Sequence, residues 1–491
     1  MGRTGALLLG AALVAWAGCT SGPGPGSELN FSSVIGGSAD DGALGVARGP
    51  GNLVCLVGAT ASLDFPTLNS LSGFGSDEGR ISKNGFVTLL DPASGRIIFS
   101  SALGGRRIDE VQDCVFAPDG SIYVTGKTIS TDFPTLEPFQ AAQAGRGDAF
   151  LARFAGDGTL LASSYLGGTR CENLRSPGSI DLGPDGTVYI AGTTASGDFP
   201  TVNPGDLDGR GSDAFLALVS VDGRRLLRSG RIGGKAMDFC FDMALDPEGR
   251  PCLVGQTAST DFPTAGGGMP FTGTSGYTDA FVILLDSRGE HALYSGFLGG
   301  SAWDFGHAVG FDGRGDVYVG GLTTSPDFPT RNAFDGSYGG GEYAGDVFLT
   351  RIRPSTGEIL SSTFFGGTKS EPAEAPLRLD VTPEGRTVLA AATDSDDIPI
   401  RRPLQARLAG ASDLVVAVFA PGAETLEFST YLGGESYDFP RAVRWDGPNL
   451  LVAGNTLSPD FPTRGPLQRG PGADGEIGDA FISGITVPPG E

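Results

Sequence analysis

Short runs of apolar residues, at the alternate spacing of half-buried strands, fill this chain between turn signals. In one stretch, four such runs occupy residues 111–116, 121–128, 148–154 and 160–165, and Gly, Pro and Asp residues bound them. Strands of this length joined by tight turns are typical of all-β proteins. No long stretch shows the 3.6-residue periodicity of an amphipathic helix. The pattern therefore predicts an all-β fold.

The same set of four strands recurs along the chain, and a tetrapeptide marks each copy. Asp-Phe-Pro-Thr, or once the variant Asp-Ile-Pro-Ile, begins at Asp64, Asp132, Asp198, Asp261, Asp327, Asp397 and Asp460. A Gly-Gly pair recurs in register with it and begins at Gly36, Gly104, Gly167, Gly233, Gly299, Gly366 and Gly433. Repeats of fixed period bury their apolar faces by stacking on their neighbours. The seven copies therefore predict seven structural units.

Four strands per unit make a propeller blade, so we predict a seven-bladed β-propeller of four-stranded blades. The last unit stops after its third strand, and residues 28–37 match the fourth-strand pattern of residues 427–434. We expect residues 28–35 to be the outer strand of the last blade and to close the ring, which leaves no open seam. The predicted propeller spans residues 28–487, with a tail at 488–491 and blades at about 38–103, 106–166, 169–232, 235–298, 301–365, 368–432 and 435–487.

These motifs resemble the bacterial seven-bladed β-propeller repeats abbreviated SBBP, which carry Gly-x-Thr-x-Ser-x-Asp-Phe-Pro-Thr and Leu-Gly-Gly patterns. The resemblance covers essentially all of residues 28–487. Many such proteins look like exported lipoproteins of the cell envelope, and the resemblance implies no established catalytic residue. Unit six departs most from the pattern, with Ala391, Ile398 and Leu414-Val415 at motif positions. We expect its local packing to differ.

The N-terminus predicts export. Arg3 precedes an apolar run at residues 6–16 that is too short to span a bilayer after cleavage. The residues before Cys19 resemble a bacterial lipobox, although Trp16 replaces its usual Leu. We expect a signal peptide at 1–18 and a lipidated Cys19 with a flexible tether at 19–27, which would anchor the protein to the cell envelope, at the outer membrane. The alternative is cleavage after Ala17, which would give a secreted soluble protein.

The net charge limits which macromolecules can bind this protein, and the cysteine count limits its disulfide bonds. The chain has a formal net charge of −23, which repels nucleic acid and anionic lipid. We therefore expect no nucleic-acid partner, membrane contact through the lipid anchor only, and a monomer. Besides Cys19 the chain has an odd number of cysteines, which argues against a complete disulfide framework; they are Cys55, Cys114, Cys171, Cys240 and Cys252.

An acidic residue stands four positions after the second Gly of every pair: Asp41, Asp109, Glu172, Asp238, Asp304, Glu371 and Asp438. We call these residues the inner acids. The position falls just before the innermost strand, so we predict a ring of carboxylates near the channel mouth, as a candidate binding site. The tetrapeptide Asp and the Asp that opens the third strand should lie close to it in each blade.

Crowded carboxylates need hydrogen-bond donors or cations. Thr and Ser stand four and two residues before every tetrapeptide Asp, so we expect donors and interpret the tetrapeptide Asp residues as structural. One Ca²⁺ per blade is the alternative, because hard oxygen ligands suit this ion. We therefore assign no metal site and no cofactor.

Enzyme motifs are scarce in this sequence. It has only two histidines, His291 and His307, too few for a His-rich zinc site, and we expect His307 to be packed or to line the channel. We assign no catalytic residue and predict a non-catalytic envelope lipoprotein that binds or scaffolds a protein or glycan partner through the long loops after the tetrapeptides. The alternative is a carbohydrate-active hydrolase that uses the channel-mouth carboxylates.

Overall fold

The computed structural model describes residues 26–71, 83–173, 177–205, 209–270, 277–340, 345–369, 371, 377–465 and 478–488. The predicted signal peptide, Cys19 and the tether up to residue 25 lie outside the described residues. Within them, the one helical segment is a short 3₁₀ turn at Pro50–Asn52. No helix in these ranges has the length and apolar character needed to cross a membrane.

In the described ranges, twenty-eight strands form seven antiparallel sheets of four strands each. Blade 1 contains β2 Asp41–Arg48, β3 Val54–Thr60, β4 Asn84–Asp91 and β5 Arg96–Leu103. Blade 2 contains β6 Asp109–Phe116, β7 Ile122–Thr128, β8 Asp148–Phe154 and β9 Leu160–Leu166. Blade 3 contains β10 Ser179–Leu182, β11 Val188–Thr194, β12 Asp213–Val219 and β13 Leu226–Ile232. Blade 4 contains β14 Asp238–Leu245, β15 Pro251–Thr257, β16 Asp279–Leu285 and β17 Ala292–Leu298.

The remaining blades follow the same order along the chain. Blade 5 contains β18 Asp304–Phe311, β19 Val317–Thr323, β20 Asp346–Arg353 and β21 Glu358–Phe365. Blade 6 contains β22 Arg378–Val381, β23 Thr387–Thr393, β24 Asp413–Phe419 and β25 Leu426–Leu432. Blade 7 contains β26 Asp438–Asp446, β27 Asn449–Thr456 and β28 Asp479–Thr486, together with β1 Glu28–Ile35.

The first strands of the blades surround a central channel. Each contacts the first strand of the next blade, and β26 of blade 7 contacts β2 of blade 1, so the ring is closed. The predicted all-β, seven-bladed propeller is therefore confirmed. Because strands alternate in direction, the Gly-Gly loops and tetrapeptides share one face, which we call the upper face. The turns between first and second strands lie on the lower face.

The N-terminal strand closes the last blade, as the sequence predicts. Strand β1 pairs antiparallel with β28, with Val34 opposite Phe481 and Ile35 opposite Ala480. Val34 and Ile35 are fully buried. Hydrogen bonds and apolar burial therefore both join the two ends of the propeller.

The segment after each tetrapeptide crosses the upper face to the outermost strand. Its first residue bridges a Ser of that strand in every blade, the seven Ser residues being Ser100, Ser163, Ser229, Ser295, Ser362, Ser429 and Ser32. In blade 1 the Ser100 hydroxyl also donates to the carbonyl of Pro66 at 2.7 Å. These segments cover the exposed edge of each sheet. Part of each long loop therefore supports the fold.

The apolar core lies between neighbouring blades and uses the Phe of the tetrapeptide. In six blades this Phe packs on a Phe of the third strand, with ring centroids 4.5–4.7 Å apart. Blade 6 instead packs Ile398 with Val415 in a buried cluster that also contains Tyr431. The different packing expected for unit six is confirmed, and aliphatic contacts replace the aromatic pair.

The five cysteines of the propeller are free thiols. Cys55, Cys114, Cys240 and Cys252 are buried, at most 4% exposed. Burial raises the pKa of the Cys240 thiol, so this group stays protonated. We interpret the buried thiols as small apolar side chains that fill space in the core.

Candidate functional site

The Asp of each tetrapeptide holds the Gly-Gly loop on the upper face. In all seven blades its carboxylate accepts a hydrogen bond of 2.8–3.0 Å from the backbone N–H of the residue after the Gly-Gly pair. In blade 1, Ser38 donates both its N–H and its hydroxyl to Asp64. These donors hold the pKa of Asp64 below its usual range. Asp64 therefore stays ionised, and in every blade the tetrapeptide carboxylate fixes the loop.

The inner acids lie beneath these loops and are buried, and their expected place near the channel mouth stays a prediction. Each is at most 1% exposed: Asp41, Asp109, Glu172, Asp238, Asp304, Glu371 and Asp438. Asp238 shows the arrangement, because its Oδ2 accepts hydrogen bonds from the N–H of Gly234 at 2.7 Å and from the Ser259 hydroxyl at 2.9 Å. The Thr257 hydroxyl donates to Oδ1. These donors hold the carboxylate within the fold.

The Asp that opens the third strand contacts the inner acid of the following blade, and not of its own blade as expected. In one such contact the N–H of Asp238, in blade 4, donates to the carbonyl of Ser212, just before Asp213 of blade 3, at 2.7 Å. A methyl group on Gly233 would lie 2.6 Å from an oxygen of each carboxyl group. Only Gly fits between them. We call this contact of two acids and a Gly-Gly loop a joint, and name it by its two blades.

Burial raises the pKa of the joint carboxyl groups because it disfavours their charged form. The pKa of Asp304 rises to about 7 and that of Asp109 to about 6, mainly through burial and against the effect of their hydrogen-bond donors. In the 4/5 joint the charge of Asp279 raises the pKa of Asp304 further. In a joint with two carboxyl groups, ionisation of one group therefore disfavours ionisation of the other.

In two joints a different side chain reduces this repulsion between carboxyl groups. In the 1/2 joint, Asn84 replaces the third-strand Asp, so Asp109 has a neutral neighbour. In the 3/4 joint, Arg231 forms an ion pair with Asp213, with Nη1 3.3 Å from Oδ2. The corresponding positions of the other units hold no basic residue. One joint therefore contains a protein cation and another contains one acid fewer.

Charged side chains fill the middle of the channel. Asp113 and Asp242 meet Arg378, Arg441 and Arg444 around a cavity of about 40 Å³. The two Asp side chains also accept backbone N–H groups of the next blade, at 3.0 Å from Ile180 and Val309. This part of the channel therefore joins innermost strands to one another.

His307 is packed in the channel wall, as expected. It is 3% exposed, and its ring centroid lies 5.3 Å from that of Phe241 and 5.9 Å from that of Phe305. Burial, and then the charge of Arg378, lowers the pKa of His307 to about 3. The ring is therefore neutral near pH 7, and its burial suits packing better than proton transfer with a substrate.

A larger cavity of about 610 Å³ lies at the lower end of the channel. Its lining combines apolar residues with Arg48, Asp181, Asp246 and Arg444. Several of these charges already have partners, since Arg48 lies 2.7 Å from Asp446 and Asp181 accepts the N–H of Leu245 at 3.1 Å. The cavity is large enough for a small ligand, but its charged groups are used mainly within the fold.

The upper face carries a set of large exposed side chains that the sequence analysis missed. They stand directly before the inner acids of blades 2, 4, 5 and 7, and we call them the rim: Ile108, Met237, Trp303 and Tyr437, which are 41–52% exposed. Their carbonyls all accept an N–H group from the end of the second strand, so the four positions are equivalent. Blade 1 has Asp40 at this position and blade 3 has Cys171. Alignment of the repeats could have revealed this unusual set.

Further aromatic side chains extend the rim. Tyr277 packs edge-on against Trp303 with ring centroids 5.1 Å apart and is 37% exposed. Phe439 stacks beside Tyr437 at 6.1 Å. These pairs hold aromatic rings in place at the upper face, where they remain accessible to a partner.

One group of possible metal ligands lies on the lower face of blade 4. Asp286, Glu290 and His291 bring one ligand atom each within 4.8 Å of one another. Glu290 is already paired with Arg228 at 2.8 Å, and Asp286 accepts N–H groups of its own turn. These contacts therefore explain the arrangement of the three side chains without a bound ion.

Comparison with family models and with curated proteins finds no match for this chain. Several solved structures are similar over most of its length. A protein of unknown function from Dyadobacter fermentans matches with a TM-score of 0.40 and 11% identity over 94% of this chain and 100% of its own. A catalytically inactive virginiamycin B lyase from Staphylococcus aureus, solved with quinupristin, matches with a TM-score of 0.43 and 10% identity over 94% of this chain and 100% of its own.

BamB from Moraxella catarrhalis is also similar, with a TM-score of 0.36 and 11% identity over 94% of this chain and 99% of its own. Similarities of this size carry no argument about this chain. Its own sheet topology defines the protein as a seven-bladed β-propeller.

The raised pKa of Asp304 predicts a specific pH dependence. Between about pH 4 and pH 7 the folded protein keeps a proton on Asp304 that the unfolded chain has released, so stability falls as pH rises through this window. Each pKa unit corresponds to about 1.4 kcal/mol, so this contribution is of the order of a few kcal/mol. Asp304→Asn mimics the neutral acid, and we expect chemical denaturation to show a flatter stability profile for this variant.

Asp327 of the same blade is the matched control, because hydrogen bonds from Ser301 lower its pKa. Its contribution is present above about pH 4 and is lost as pH falls, so Asp327→Asn should not flatten the profile between pH 4 and 7. An Asp304→Asn variant with the same slope as the wild type would contradict the prediction.

Proposed function

We propose that this protein is a non-catalytic binding module of the bacterial cell envelope whose rim binds a partner protein. This proposal rests on the four large side chains of the rim, which are exposed at equivalent positions on one face. Trp, Tyr and Met are enriched in the buried centres of protein interfaces. A partner protein could cover these exposed side chains around the channel entrance.

The positions of the acids favour binding over hydrolysis. A glycosidase needs two carboxyl groups that reach the substrate, whereas the inner acids are at most 1% exposed and accept hydrogen bonds from the loops above them. The tetrapeptide carboxylates are exposed but hold loop N–H groups. These contacts assign both sets of acids to the fold, so the rim is the better candidate for a binding surface.

We further propose membership of the SBBP repeat family and lipid attachment at Cys19. The repeated Leu-Gly-Gly and Asp-Phe-Pro-Thr motifs support membership, and Ala17-Gly18-Cys19 after an apolar run supports attachment. The first described residues, 26 and 27, lead directly into β1 at the outer edge of blade 7. A tether that joins the propeller at its outer edge leaves the rim accessible.

The anchoring proposal predicts the location of a Cys19→Ala variant. The wild-type protein should fractionate with membranes, and the variant should be released because it has no lipidated residue. Cell fractionation and detection of the attached lipid by mass spectrometry measure this. Equal amounts of variant and wild type in the membrane fraction would contradict the proposal.

The rim proposal is tested by photo-cross-linking in intact cells. A photoreactive phenylalanine derivative at position 303 or 437 should capture one discrete, protease-sensitive partner, because these side chains lie at the centre of the proposed interface. The matched control is the same derivative at position 221, where Val221 is 53% exposed on the lower face. This position should capture no such partner.

Two outcomes would contradict a protein partner at the rim. One is capture at position 221 with the same yield as at position 303. The other is a product at position 303 that resists protease and is shortened by glycosidases, which would identify a glycan as the occupant. Substitution Trp303→Ala together with Tyr437→Ala should abolish capture from a third rim position, Met237, without changing the melting temperature.

A further inference from the structure

Two of the seven joints differ from the rest in the same way. The 2/3 and 5/6 joints contain Glu as inner acid, Glu172 and Glu371, where the other five contain Asp. The extra methylene group changes how the hydroxyl donors meet the carboxylate. In the 5/6 joint, Thr393 and Ser395 both donate to Oε1 of Glu371, at 3.1 and 3.0 Å. In the five Asp joints the Ser hydroxyl instead donates to Oδ2, the oxygen that also accepts the N–H of the second Gly.

This geometry leaves two buried oxygens of the 5/6 joint without a hydrogen bond. They are Oε2 of Glu371 and Oδ1 of Asp346, on side chains that are each 1% exposed. Both face one small space beside Gly366, since a methyl group on that residue would lie 3.0 Å from Oε2 and 2.9 Å from Oδ1. The other oxygen of Asp346 accepts the N–H of Gly339 at 2.7 Å. The side chains are therefore held with their free oxygens together.

The 2/3 joint repeats this arrangement three blades away. Oε2 of Glu172 and Oδ1 of Asp148 are buried and accept no hydrogen bond. A methyl group on Gly167 would lie 2.6 Å from the first and 2.8 Å from the second. Oδ2 of Asp148 is fixed by the Gln140 side chain at 2.8 Å and by the N–H of Ala144 at 2.9 Å. The same two atoms are thus free in both joints.

We propose that the 2/3 and 5/6 joints each bind one Ca²⁺ between their paired carboxylates, with the free oxygens of Asp148 and Glu172, and of Asp346 and Glu371, as ligands. Two carboxylates that are both ionised and buried at one point require a positive charge. In the 4/5 joint a proton on Asp304 removes this requirement, whereas in the 2/3 and 5/6 joints two unpaired oxygens face one space, where an ion supplies the charge and joins adjacent blades.

The 3/4 joint supports this requirement independently. Its carboxylates, Asp213 and Asp238, are accompanied by the Arg231 guanidinium, which contacts Asp213 at 3.3 Å. The positions that correspond to Arg231 in the 2/3 and 5/6 joints hold Tyr165 and Phe364. These residues carry no charge, so a bound cation would take the role that Arg231 has in the 3/4 joint.

The five Asp joints differ in the oxygen that faces the Gly-Gly loop. In each of them this oxygen is Oδ2 of the inner acid, and it already accepts the N–H of the second Gly. Four of these acids also have an unpaired oxygen, but it is Oδ1, on the other side of the carboxylate. In the Glu joints the oxygen that faces the loop, Oε2, accepts no hydrogen bond and is open to an ion.

The ligand chemistry favours Ca²⁺ over other metals. The free ligand atoms are all carboxylate oxygens, which suit hard cations, and no His or Cys nitrogen or sulfur is among them. Ca²⁺ accepts irregular sets of six to eight oxygens at about 2.3–2.6 Å and completes them with carbonyl groups and water. Mg²⁺ demands a regular octahedron and keeps its waters, which a joint this crowded does not favour.

Equilibrium dialysis of the purified protein with Ca²⁺ tests the proposal directly. After treatment with a chelator, the wild type should take up two ions per chain at these sites. Glu172→Gln and Glu371→Gln keep the side-chain volume and should each remove one of the two. Asp238→Asn is the matched control, because its joint already contains Arg231, and it should retain both ions. Uptake that is the same in the wild type and in the double Gln variant would overturn the proposal.

Terbium luminescence provides a second readout that does not depend on stability. The N–H of Gly339, the residue after Tyr338, donates to Asp346 at 2.7 Å, so this ring is near the 5/6 joint. Excitation of tyrosine should therefore give Tb³⁺ emission that Ca²⁺ displaces, and Tyr338→Phe should reduce this emission without changing Ca²⁺ uptake. No uptake of Ca²⁺ by the wild type at millimolar concentration would also overturn the proposal and would indicate that each carboxyl pair holds a proton.

Discussion

The joint between neighbouring blades is the contact on which this propeller depends. A buried carboxylate is costly unless donors surround it, and here the donors come from the Gly-Gly loop and from the Thr-x-Ser segment, as at Asp238. The tetrapeptide Asp then holds the next residue of that loop. Three motifs that are distant in sequence therefore form one hydrogen-bonded unit, which is why they recur together in every repeat.

The repeat pattern was sufficient to predict the strands and their closure, because both follow from local apolar periodicity. The third strand of unit two, at residues 148–154, coincides with strand Asp148–Phe154, and the match of residues 28–35 to a missing fourth strand identifies β1. The Phe-to-Ile departure at Ile398 likewise indicated where packing changes. Spacing alone could not show that Asp213 would contact an acid of the following blade, since that depends on how blades stack.

Side-chain direction and exposure explain the remaining differences between the sequence predictions and the structure. An acid just before an innermost strand can face the channel or its own blade, and the donors around Asp238 decide this only in three dimensions. Trp303 and Tyr437 lay in the sequence beside these acids, but a large apolar residue there indicates a binding surface only once its exposure is known. Residues that repeat in every blade serve the fold, whereas departures such as Arg231, Glu371 and Trp303 distinguish individual joints and surfaces.

A double-mutant cycle between Asp238 and Ser259 tests the central role of the joint most directly. The free energy of unfolding would be measured for the wild type, Asp238→Asn, Ser259→Ala and the double variant. If the Ser hydroxyl stabilises the buried carboxylate, the two substitutions should be coupled by about 1.5–3 kcal/mol, the range for hydrogen bonds to charged groups. Additive effects, with coupling below about 0.5 kcal/mol, would contradict the account, because the buried carboxylate would then not be the group that holds the Thr-x-Ser segment in the joint.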